Sequence, residues 1–135
     1  MTFPELIRSE EEILKRLLIV SQRQLKLVQE GGDATVLLQH LGQRLQLWNE
    51  FESLERQLEP HKGIPPEGRV WKNAEERQMT EATLGRCKAF MEQILATDQE
   101  SITTTAAAKN EMGAKLNQVQ RAPTVVAEYL KQSRQ

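Results

Sequence analysis

The residues Gly31-Gly32-Asp33 separate two long helical patterns, and this short break constrains the fold more than any other feature of the sequence. Gly31 suits the left-handed conformation that ends many helices, and Asp33 is a good N-cap for the helix that follows. So short a connection between two helices of about 26 residues each forces them to turn back on one another. The sequence therefore predicts an antiparallel helical hairpin.

The first helix is predicted over residues 5–30, after a Pro4 that suits a first helical turn and a Thr2 or Phe3 that can act as cap or staple. Its apolar residues form a seven-residue repeat and a flanking stripe: Leu6, Ile13, Leu17, Val20, Leu27, then Leu14, Leu18, Leu25, Val28. Glu10 and Gln24 occupy two further positions of the repeat. This face is too wide for one partner helix, so the first helix is expected to touch two neighbours.

The second helix is predicted over residues 34–59, with Pro60 ending it. Its apolar residues fall on two adjoining stripes: Leu38, Leu41, Leu45, Trp48, then Leu47, Phe51, Leu54, Leu58. Residues 60–74 are rich in proline and glycine and predict a loop, whose large apolar residues are expected to plug the open end of the hairpin: Ile64, Val70, Trp71.

A third, longer helix is predicted from about Asn73 to Arg121, as the segment 75–121, with this apolar seam: Leu84, Met91, Leu95, Ile102, Met112, Leu116, Val119. Asp98 interrupts the seam, either as an edge residue facing water or as a polar group that fixes the register of the bundle. The stretch Ser101–Lys109 contains three consecutive threonines, which lower helix propensity, so the helix should be weakest or kinked there.

Length comparison gives the main functional prediction. A helix of nearly 50 residues is roughly 70 Å long, whereas each arm of the hairpin is roughly 39 Å. The end of the third helix should therefore lack a cover within the hairpin. A second copy of the chain, the apolar tail at 122–135 after Pro123 folded back over it, or a different protein must then bury it. The predicted partner-binding residues are Met112, Leu116, Val119, Val125, Val126, Tyr129 and Leu130. The predicted fold is a single all-α domain, residues 1–135: an elongated antiparallel three-helix bundle with one longer C-terminal helix.

Composition argues against several classes of function. The net charge is −1, which gives no field for nucleic acid, and the longest apolar run, Leu17–Val20, is far too short to insert into a membrane. Two histidines and one cysteine, Cys87, form no metal-ligand spacing, and no phosphate loop or catalytic motif is found. We therefore predict no enzymatic activity, no metal and no cofactor. A lone cysteine and the lack of a signal-peptide pattern predict a cytoplasmic protein.

The order of these features resembles the flagellar export chaperones of the FlgN type. The resemblance rests on the opening "EEEILKRLLIVSQRQLKLVQEGGDATVLLQHLGQRLQLWNEFESLERQLE", a proline-rich loop, one long helix containing "TTTAAAKNEMG", and an amphipathic tail. It covers most of the chain.

This resemblance implies a cytoplasmic chaperone that works without ATP. Members of the family bind the C-terminal helices of hook-associated (hook–filament junction) proteins, prevent early assembly and deliver them to the type III export apparatus. Substrate binding by the C-terminal part would map onto the same seven residues, by helix-in-groove recognition. The alternatives are a structural coiled-coil homodimer, in which two chains bury each other's stripes, and a partner-binding adaptor without a role in export.

Overall fold

The computed structural model of the protein describes residues 1–108. They form three α-helices: α1 (Phe3–Gln29), α2 (Ala34–Leu58) and α3 (Ala74–Ala108). Two short 3-10 helices, Glu59–His61 and Pro66–Gly68, lie between α2 and α3, and residues 1–108 contain no strand. The predicted all-α bundle is confirmed. The remainder of the predicted long helix and the tail at 122–135 lie outside the described residues.

Local capping explains where α1 and α2 begin. The Thr2 hydroxyl accepts a hydrogen bond from the backbone N–H of Glu5 at 3.3 Å, and the Glu5 carboxylate accepts one from the N–H of Thr2 at 3.2 Å. This reciprocal pair satisfies two N–H groups that a helix start leaves open. Gly31 takes the left-handed conformation with φ of 64°, and Asp33 accepts from the Thr35 N–H at 2.6 Å. The predicted hairpin signals are thus confirmed.

The helix α1 lies at the centre of the arrangement, because it packs against both α2 and α3, as its wide apolar face predicts. The helix α2 runs antiparallel to α1 after the tight turn. The helix α3 runs parallel to α1, since Glu11 pairs with Arg86 near one end and Arg44 of α2 joins Ser21 to Asp98 further along.

The inward face of α2 differs from the predicted stripe. Leu37 and Arg44 are buried, whereas Leu38 and Leu45 are 47% and 45% exposed. The prediction that Leu38 and Leu45 face the core was wrong by one residue, which is a rotation of about 100° around the helix. Leucines at both 37 and 38 make the two rotations similar in sequence, and the rotation that the structure adopts places Arg44 in the core.

The seam of α3 is also more polar than predicted. Its buried side chains follow a spacing of three and four residues: Thr80, Thr83, Cys87, Met91, Ile94, Asp98, Ser101, Thr105. Leu84, Leu95 and Ile102 are only half-buried on its flank. The helix continues without a break through the three threonines to Ala108.

The loop end of the bundle is closed by an aromatic cluster. Trp71 meets Phe3 edge-to-face, with ring centres 6.1 Å apart, and its indole N–H donates to the Pro66 carbonyl at 2.9 Å. The Arg69 guanidinium lies 4.2 Å from the centre of the Phe3 ring. Trp71 therefore plugs the open end of the hairpin, at the loop end of the bundle, as predicted. The same prediction was wrong for Val70 and Ile64, which are 94% and 38% exposed.

Candidate protein-binding site

The seven predicted partner-binding residues all lie outside the described part of the chain: Met112, Leu116, Val119, Val125, Val126, Tyr129, Leu130. The structure instead defines the end of the bundle from which they follow. Ser21 and Asp98 are joined through Arg44, and seven residues further along each parallel helix come Val28 and Thr105. Both are buried, at 4% exposure each. Because α1 ends at Gln29, its cover of α3 ends close to residue 106.

A buried ion pair joins all three helices just below that end. The Arg44 guanidinium donates to the Ser21 hydroxyl of α1 and to the Asp98 carboxylate of α3. The Arg44 and Asp98 side chains are only 3% and 1% exposed, and the guanidinium lies 5.9 Å from the centre of the Trp48 ring. The interpretation of Asp98 as an edge residue facing water was therefore wrong.

Burial disfavours both charges of this pair, and their attraction opposes the effect. Burial raises the pKa of Asp98 to about 6, although the neighbouring Arg44 lowers it. Burial also lowers the pKa of Arg44, and Asp98 partly restores it. Such a pair adds little net stability, but breaking it leaves one charge buried without a partner. Since the three groups come from three helices, only one alignment of the bundle joins them, which gives the pair a role in register.

A second buried acidic group lies towards the loop end. Glu10 of α1 is fully buried, and its carboxyl group lies beside the carboxyl group of Glu55 on α2. Burial, and then the neighbouring Glu55 carboxyl, raise the pKa of Glu10 to about 10, while the positive charge of Lys62 lowers it in part. Glu10 is therefore a neutral acid at pH 7, which removes the large cost of a buried charge.

The single cysteine is part of the core. Cys87 is fully buried on α3, and its thiol lies 4.0 Å from the Ile7 carbonyl oxygen. Burial, with smaller contributions from the acidic groups of Glu10 and Glu11, raises the pKa of Cys87 to about 12. Because the thiolate is the reactive form, this cysteine is a poor nucleophile.

The surfaces of α2 and α3 near the hairpin turn carry almost no charge. Residues 34–49 of α2 and 93–108 of α3 contain three charged residues, Arg44, Asp98 and Glu100, and only Glu100 is exposed. Helical geometry places two exposed leucines of α2 beside two half-buried residues of α3 on the flanks where these helices face each other: Leu38, Leu45, Leu95, Ile102. We call these four residues the uncharged face.

A separate, open depression lies on another side of the bundle. A cavity of about 350 Å³ lies between α1 and α2 on the side away from α3, lined by Ser9, Glu12, Ile13, Glu50, Ser53 and Leu54. Glu12 pairs with Arg16 at 3.4 Å on the surface. Within residues 1–108, no group of three His, Cys, Asp or Glu side chains could hold a metal ion.

Sequence reasoning missed two features of this end of the bundle. Arg44 was not recognised as buried, although it is the only lysine or arginine in residues 34–49. The loss of charge along 34–49 and 93–108 can be read directly from the sequence, but it becomes a surface only when α2 and α3 are placed side by side.

Comparison with known proteins identifies no family for the chain: no protein-family model matches it, and no curated protein or solved structure is significantly similar. Among the described residues, no helix combines the length and the apolar character needed to cross a membrane.

Proposed function

We propose that this protein is a cytoplasmic flagellar export chaperone of the FlgN type. It binds an amphipathic helical end of a hook-associated protein, keeps that end from assembling early and delivers it to the type III export apparatus. The sequence resemblance suggests the family. The observation that carries the proposal is the register of α1 and α3 at the hairpin end.

The inward positions of α3 reach Asp98, Ser101 and Thr105, where the cover provided by α1 comes to an end. In the sequence, the same spacing of three and four residues continues through Met112, Leu116 and Val119. A helix that continued this face would present it beyond the hairpin, where neither α1 nor α2 has residues to cover it. An amphipathic helix of a client protein can bury such a stripe through anchors at matching spacing.

The test is direct binding of fluorescently labelled peptides from the C-terminal helices of hook–filament junction proteins to the full chain, measured by fluorescence anisotropy. We expect saturable binding to the wild-type protein. Leu116→Glu should weaken it at least tenfold, because a charge on an apolar anchor position removes burial and adds a desolvation cost.

Ile19→Glu is the matched control, because Ile19 is an apolar residue of α1 that is already 46% exposed. It should bind as tightly as the wild type. Absence of binding to any such peptide, or equal binding by the Leu116→Glu variant, would contradict the proposal.

A further inference from the structure

We infer that the uncharged face is a docking surface for a second copy of this chain. In this arrangement, α2 and α3 of each copy would together form an antiparallel four-helix layer, with the two α1 helices on the outside. The inference concerns residues of the described bundle and does not depend on export activity.

Surface charge is the first argument for a second copy as the occupant. A two-fold contact places each surface patch against the same patch of its partner, so charged residues near the axis would meet their own copies. The uncharged face avoids this, because the only exposed charge of these stretches, Glu100, lies across α3 from Leu95 and Ile102.

The helix α1 shows the contrast at the same end of the molecule. Between Glu12 and Glu30 it carries four basic residues and no acidic one: Lys15, Arg16, Arg23, Lys26. A two-fold contact through that side would bring like charges together. The face that α2 and α3 form within residues 1–108 can meet its own copy without such repulsion.

Gly42 supplies the second, independent argument. It lies inside α2, one turn from Leu38 and from Leu45, where glycine weakens a helix. Within residues 1–108, a Cβ atom added at Gly42 would meet nothing within 4 Å, so no contact inside the described bundle requires a glycine there. Glycine on a helix surface allows another helix backbone to approach closely. A partner helix at this point would explain its presence between the two exposed leucines.

The experiment measures the mass of the full-length protein in solution over a range of concentrations, by sedimentation equilibrium and light scattering. We expect a dimer of twice the 15.5 kDa chain mass. Leu45→Glu should weaken dimerisation at least tenfold. Ile19→Glu, which adds the same charge to a similarly exposed apolar residue of α1, should leave it unchanged.

Glycine substitutions provide a second matched pair. Gly42 and Gly85 both lie within helices, and a Cβ atom added at either residue would meet nothing within 4 Å. Gly42→Gln should weaken the dimer at least tenfold, whereas Gly85→Gln should not affect it. Circular dichroism of each variant checks that the helical fold is kept.

Three results would overturn the inference: a wild-type chain that stays monomeric at the highest concentration, a dimer that both Leu45→Glu and Gly42→Gln leave intact, or assemblies that keep growing with concentration. Binding of client peptides is measured separately, so failure of the dimer leaves the proposed function testable on its own.

Discussion

The two halves of the bundle distribute their charges in opposite ways. At the loop end, charged residues cover the surface of α2 and α3, and the acidic group in the core, Glu10, is neutral. At the hairpin end, the charges of Arg44 and Asp98 are inside, and the surface above them exposes leucines. The comparison shows that a polar core does not imply a polar surface. At the hairpin end, α2 exposes apolar side chains to solvent, while the buried ion pair fixes the alignment of the helices.

Removing one partner of the buried ion pair should have the largest effect. Arg44→Met leaves the Asp98 carboxylate buried without a cation, so the free energy of unfolding should fall by about 3–5 kcal/mol at pH 7. Urea unfolding followed by circular dichroism measures it. Arg16→Met, which breaks the exposed pair with Glu12, should cost less than about 1 kcal/mol. An equal loss of unfolding free energy in both variants would mean that the buried ion pair matters no more to stability than the exposed one.

The double variant Arg44→Met, Asp98→Leu sharpens the same point. Because both charges are replaced by apolar groups, it should recover most of the stability lost in Arg44→Met. If the ion pair also sets the alignment of the helices, the amide signals of this variant should be less dispersed in NMR spectra than those of the wild type, even though its stability is largely recovered.

Replacing the buried acid at the loop end should stabilise the protein. The folded pKa of Glu10, about 10, is above its unfolded value of 4.5, so the folded state holds a proton that the unfolded state releases. Stability from this group is therefore complete below pH 4.5 and is lost as the pH rises towards 10. Glu10→Gln should raise the free energy of unfolding by roughly 2–4 kcal/mol at pH 8 and flatten its pH dependence, because the gain of about 5 kcal/mol set by the two pKa values is reduced by the cost of burying an amide, about 1–3 kcal/mol. Urea unfolding at several pH values tests this.

Glu12→Gln is the control for that prediction, because Glu12 lies two residues away on the same helix with a side chain 58% exposed. Its effect should stay within about 0.5 kcal/mol at every pH. A loss of stability in Glu10→Gln at pH 8 would contradict this prediction. It would mean that the Glu10 carboxyl makes a favourable contact in the folded state that outweighs the cost of holding its proton.

The threonines near the hairpin end should give the smallest effects. The Thr103 and Thr105 hydroxyls each donate to the carbonyl oxygen four residues earlier, at 2.9 and 2.8 Å, but Thr103 is exposed and Thr105 is buried. Thr103→Ala should stabilise α3 by about 0.5 kcal/mol through helix propensity. Thr105→Ala should instead destabilise it by about 1 kcal/mol, since it removes a buried methyl group. Amide hydrogen exchange along residues 99–108 measures both.

Sequence patterns were sufficient for the parts of the fold that depend on local chemistry. The capping residue Asp33, the turn at Gly31 and the wide face of α1 each gave a correct prediction, because each acts within a few residues of the chain. The inward faces of α2 and α3 could not be assigned in this way. Arg44 and Asp98 are buried as partners that come from two different helices, and that pairing has no signature in any one segment.

The parallel course of α1 and α3 has a practical consequence for labelling. Met1 is 74% exposed and lies at the loop end, whereas Ala108 lies at the opposite end of a bundle about 40 Å long. A fluorophore, affinity tag or fused domain attached to the amino terminus would therefore be held far from both the uncharged face and the point where residue 109 begins. Immobilisation through that terminus would leave the hairpin end accessible to peptides and to other copies of the chain.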